Sequence, residues 1–315
     1  MINYDSKNWL NNFIRIFKVF NLIYTSRTLT RYLFWVLLYS SAVTFIEVEI
    51  IRLKYQLSPM FFSLVAIILS LVLVFRLNTA YDKWWEARKL WGTLINESRA
   101  AAAYFNAILP KKDNHNRQFF ASHLSNFAFA LKGHLRGLIR TEELEDFHDN
   151  YISILKKKSN LPLIIVSQMM TRIEELVKQN IISETDKRNL KGYIDTFIHL
   201  LGSCERIKNT PIPFSHNTFI KSFIFIYTLA LPFGLASTFL YYAIPATILI
   251  SYALIGVEVI SEEIEDPFGN EANDLPLTHF SNIIKKSMHD VLQVWQDEDE
   301  FTEILKDSTS LEIID

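Results

Sequence analysis

The strongest constraint on this chain is a tract of about 36 uncharged residues, Ser222 to Val257. A membrane helix needs about 20 residues, so the tract is too long for one span. Pro232, Gly234 and Pro245 offer places to break or bend it into two short helices with a tight turn between them. Two more apolar runs lie nearer the start. One covers Tyr32 to Ile46 and can extend to a full span, with Glu47 and Glu49 marking its far end. The other begins at Ser58-Pro59, a capping residue followed by a proline at the first helical position, and stays uncharged to Phe75. That run is short for a span, but nothing breaks a helix between Pro59 and Trp91. About 33 residues at 1.5 Å each give roughly 50 Å against a hydrocarbon layer of about 30 Å. The helix is expected to leave the membrane and continue into water.

Half of the 315 residues are hydrophobic and the mean hydropathy is +0.13, which suits a chain partly in lipid and partly in water. With 24 Phe and 13 Tyr against 8 Gly, and with long apolar runs, the composition favours helices over a barrel. A formal net charge of -2 gives no field to attract nucleic acid. The single Cys204 supports neither an internal disulfide nor a zinc site of the usual kind.

The first residues mix Lys7, Arg15 and Lys18 with Trp9, Leu10, Phe13, Ile14 and Phe17. This reads as an amphipathic helix on the membrane surface, on a neighbouring subunit or in ordinary packing, and not as a cleavable signal. Basic residues set the orientation. Lys7, Arg15, Lys18, Arg27 and Arg31 precede the first span, and Arg52 and Lys54 lie between the first two. The expectation is an all-α polytopic protein of the inner cell membrane, with four spans and both ends in the cytoplasm. Its parts are an amphipathic segment (1–28), spans one and two (29–77), a cytosolic helical domain (78–218), spans three and four (219–260) and a cytosolic acidic loop, helix and tail (261–315).

Three segments carry more than periodicity. FRLNTAYDKWWEARKLWG (Phe75 to Gly92) places Trp84, Arg88 and Trp91 on one helical face and, taken alone, is a helix crossing the membrane surface with aromatic anchors. CERIKNTPIPFS (Cys204 to Ser215) precedes the third span, and EEIEDPFGNEANDLPL (Glu262 to Leu277) follows the fourth. In this order the three resemble the bestrophin family, especially its bacterial branch. The resemblance implies a homopentamer with one ion pore on the five-fold axis, lined by the second span, and a cytosolic helical vestibule.

The family's membrane neck maps onto Ile67, Leu71 and Phe75. Periodicity could not choose that stripe, because almost every residue of the span is apolar. Once it is chosen, 100° per residue puts Asn78 and Asp82 on roughly the same line, so the line turns polar below the neck. A ring of apolar side chains can close a pore by dewetting, which is the expected gate. The family's second constriction, a cytosolic aperture, maps onto Ile212 between Pro211 and Pro213. The same Pro-Ile-Pro reads equally well as a rigid linker into the third span.

Animal members clasp calcium with a run of acids after Pro-Phe-Gly. Here that stretch offers only Glu271 and Asp274 as carboxylates, a weak set for an ion that takes six to eight oxygens. The competing reading is a loop whose Asn and Asp serve turns and caps, and no cofactor is otherwise implied.

None of the eight histidines has HExxH spacing, and no GxSxG, Walker or GxGxxG element occurs, so no catalytic set is expected. The leading function is a channel for small monovalent ions. Five copies of Asp82 near the neck lean it toward cations, for which the resemblance to bacterial members implies sodium-like ions, with Glu47 and Glu49 as a second ring at the outer mouth if they face the axis rather than a neighbouring helix. The competing account pairs Asp82 with Lys83, Glu86's neighbours or another subunit. The alternatives are a chloride or other anion channel, as in animal relatives, and a non-conducting membrane assembly or signalling protein. The expected partners are the chain itself, lipid and small ions.

Overall fold

The computed structural model describes residues 24–50, 59–145 and 160–292, and among these every regular element is helical. Most of the amphipathic N-terminal segment, Arg52 and Lys54, the Ser58 cap and the polar tail lie outside them. The main helices are α1 (Tyr24–Phe45), α2 (Pro59–Ile108), α3 (Asn114–Arg136), α4 (Leu161–Lys178), α5 (Glu184–Asn209), α6 (Phe214–Phe239), α7 (Ala243–Glu265) and α8 (Leu277–Leu292). A short π-helix, Ile46–Ile50, continues α1.

The chain divides into two compact units. One holds the residues up to Trp85, Pro211–Pro267 and Glu271–Asp274, and the other holds Glu86–Thr210, Phe268–Asn270 and the residues from Leu275. Among the described residues three stretches are long and apolar enough to cross a membrane: Arg27–Ile50, Met60–Ile108 and Phe214–Glu265. The third consists of α6 and α7, joined by the 3-10 turn Leu240–Tyr242 and packed side by side, so that they run antiparallel.

The turn falls between Gly234 and Pro245, two of the three places the sequence offered for a break or bend. Pro232 lies inside α6 and does not end it, and the reversal comes at Leu240, which takes a positive φ of 49°. In apolar surroundings a broken helix would leave several backbone groups without partners, whereas one proline costs a single hydrogen bond. Pro245 falls in the first turn of α7, where its missing N–H is no loss.

The core of the first unit sets Phe62, Leu69 and Leu73 of α2 against Ile220, Ile224, Tyr227 and Leu231 of α6 and Leu254 of α7. Gly234 of α6 leaves room for the Phe62 ring, which a Cβ at that position would overlap. Tyrosine hydroxyls in and beside this core find backbone acceptors. The Tyr227 hydroxyl donates to the Phe62 carbonyl at 3.3 Å and the Tyr39 hydroxyl to the Leu229 carbonyl at 2.9 Å.

In the second unit most of α3 is buried, with α4, α5 and α8 packed against it. The Phe105 and Phe120 rings stack 3.8 Å apart. The buried Arg117 closes the end of α2 by donating to the carbonyls of Asn106, Leu109 and Pro110. A capping box between Ser183 and Asp186 starts α5.

Candidate functional site

Up to Trp85, α2 has two contrasting faces. Phe62, Leu69, Leu73, Arg76 and Ala80 are buried, at spacings that keep them on one side of a helix. Ile67, Leu71 and Phe75 lie opposite, with 66%, 56% and 61% of their surface exposed. Asn78 and Asp82 continue the same open line. All five residues predicted to face the pore therefore sit on the face that the described helices leave uncovered. That face is wider than the line, since Phe61, Leu64, Ile68 and Val74 are open as well.

Among the described residues Asp82 makes no salt bridge. The neighbouring Lys83 extends its amine toward Glu265, 3.8 Å away. Tyr81 and Trp85 stack nearly parallel, with ring centres 6.5 Å apart, and the Trp84 indole donates to the Asn273 carbonyl at 3.0 Å. On the π-helix, Glu49 accepts from the Tyr241 hydroxyl at 2.5 Å, so one of the two predicted outer-mouth acids is engaged with the α6–α7 turn.

Ile212 is only 9% exposed, while Pro211 and Pro213 on either side are open. Its backbone N–H donates to Glu265 Oε1 at 2.9 Å. Glu265 also accepts through Oε2 from Arg76 Nη2 at 2.7 Å. The Arg76 side chain is wholly buried, and its Nε lies 3.7 Å from a Glu258 oxygen.

In the acidic loop, the Asp274 carboxylate accepts from the Glu271 N–H at 2.6 Å, and the Asp274 N–H donates back to the Glu271 carbonyl at 3.1 Å. Asp274 is buried and Glu271 is open. Burial pushes the Asp274 carboxyl up to about 7, with the charges of Glu271, Asp266 and Glu263 adding to it and the Glu271 N–H opposing. Among the described residues no three His, Cys, Asp or Glu side chains are grouped to hold a metal ion.

The family model for bacterial and fungal bestrophin proteins matches residues 5–290 of this sequence. This chain belongs to the bestrophin family. A relative from Synechocystis, named a voltage-dependent anion channel-forming protein, is 34% identical over 234 residues, covering 73% of this chain and 76% of its own. The similarly named YneE of Escherichia coli is 32% identical, covering 74% of this chain and 76% of its own. Among solved structures, a bacterial bestrophin homolog from Klebsiella pneumoniae superposes with a TM-score of 0.77 at 28% identity, over 83% of this chain and 97% of that one.

Beside the residues predicted for this bestrophin chain, the fold brings forward Arg76, Glu258 and Glu265, which reasoning from sequence passed over. A signal for them existed. Arg76 is the first charge after the apolar run of α2, and a charge at membrane depth asks for a partner. Glu258 and Glu265 are seven residues apart on α7 and so share one face.

Proposed function

We infer that the chain forms a homopentameric ion channel of the cell membrane, not an enzyme, with four spans per subunit and both ends in the cytoplasm. Ile67, Leu71 and Phe75 of five copies form its hydrophobic neck, with Asn78 and Asp82 on the pore line beyond it and Ile212 at the cytosolic aperture. The observation that carries this reading is the open apolar face of α2, set opposite a face already taken by α6 and α7. An apolar line uncovered in one subunit and followed at once by an amide and a carboxylate suits a wall between lipid-depth packing and water. It suits simple contact with lipid less well. Such a neck opens and closes by wetting and dewetting.

The names of the curated relatives favour small anions as the permeant species. The cation reading keeps one specific support, the exposed Asp82 carboxylate without a salt bridge among the described residues. A bi-ionic reversal potential in proteoliposomes separates the two. If a ring of Asp82 acts on passing ions, Asp82→Asn shifts the reversal potential toward anions. An unchanged potential in an intact assembly removes the cation reading. The loop from Glu271 to Asp274 is assigned a turn rather than a calcium clasp, because the Asp274 carboxylate is already engaged by a backbone N–H.

A further inference from the structure

Glu265, the last residue of α7, engages two elements through one carboxylate. Oε2 holds Arg76 of α2 at 2.7 Å, and Oε1 holds the Ile212 amide at 2.9 Å. Arg76 follows Phe75 directly in sequence and points to the buried side of the helix whose open side bears the neck line. Its guanidinium has no other hydrogen bond among the described residues, since Nε and Nη1 are unsatisfied and the Glu258 oxygen stands 3.7 Å off. Ile212 is equally dependent on this carboxylate. Prolines carry no N–H, so its amide is the only backbone donor of Pro-Ile-Pro, and it is spent on Glu265.

A charge-assisted hydrogen bond to a wholly buried guanidinium is costly to break. A shift of α2 that carries Arg76 must therefore drag Glu265, and with it the Ile212 backbone, or lose that bond. We propose that Glu265 is a positioning residue that couples the neck on α2 to the Pro-Ile-Pro loop, so that the two constrictions move together. This rests on the pore reading above, and it adds a link between constrictions that were so far two separate features.

The test is hydrogen–deuterium exchange on the assembled protein, read from peptides that contain Ile212, with Arg76→Gln and Glu265→Asp as variants. Aspartate keeps the charge but is one methylene too short to hold both partners, so the fold has little reason to fail. In the parent the Ile212 amide is protected. In both variants its exchange rises roughly tenfold or more, as expected for loss of a charge-assisted hydrogen bond. An unprotected Ile212 amide in the parent, or protection unchanged in the variants, overturns the proposal.

Ion flux supplies the second arm. Leu71→Ala and Ile212→Ala have effects that do not multiply in the parent background and do multiply in Glu265→Asp. Effects that already multiply in a conducting parent count against the link. A parent assembly that passes no ions defeats the pore reading instead, and the exchange result still decides the link.

Discussion

A carboxyl that a fold buries beside other carboxylates holds its proton. Asp274 is such a group, with its pKa raised from 3.8 to about 7 by burial first and by neighbouring acids after it. Because the folded value lies above the unfolded one, its stabilising contribution is complete below about pH 4 and lost as the pH rises to about 7. Asp274→Asn keeps an oxygen for the Glu271 N–H and carries no charge. The variant is expected to melt at a higher temperature than the parent at pH 8, with a flatter pH dependence between 4 and 7. A melting curve series in calcium-free buffer checks this. Added calcium that raises the parent's melting temperature but not the variant's would restore the clasp. At this scale the sequence named both Glu271 and Asp274, but not that one faces inward and the other outward, because burial of a loop side chain depends on what packs over it.

At the scale of elements, α1 to α7 differ in how plainly the chain announced them. Ser58-Pro59 predicted the start of α2, and α2 begins at Pro59 and stays unbroken to Ile108, well past Trp91. The prolines bracketed the α6–α7 reversal without fixing it, because proline is a poor guide to helix ends where no water can satisfy the freed carbonyl. The neck stripe itself was illegible, since a helix apolar all round gives periodicity nothing to select. The packing of Phe62, Leu69 and Leu73 on α6 and α7 separates a covered face from an open one, which contains the proposed stripe but is wider than it. That packing depends on Gly234, whose lack of a Cβ admits the Phe62 ring. Gly234→Ala is expected to destabilise the protein by about 1–3 kcal/mol through overpacking. Phe62→Leu in the same chain is expected to recover part of the loss, and thermal unfolding in detergent reads both.

For the whole molecule, α2 has a long apolar face that the described residues of one chain do not cover. Lipid alone could cover it, but the pore reading requires that copies of the chain meet there. Native mass spectrometry of the detergent-solubilised protein is expected to give a pentamer, and a monomer alone would remove the basis for a pore. The family resemblance, carried by three motifs in order, suggested this assembly, together with the lack of any pore within the four expected helices.

The most direct test is ion flux through the purified assembly in liposomes, comparing the parent with the combined Ile67→Ala, Leu71→Ala and Phe75→Ala variant. The account predicts that the parent conducts and that the widened, wetted neck conducts more. Intact pentamers that pass no ions in either form, or a variant that conducts no better than its parent, would contradict it.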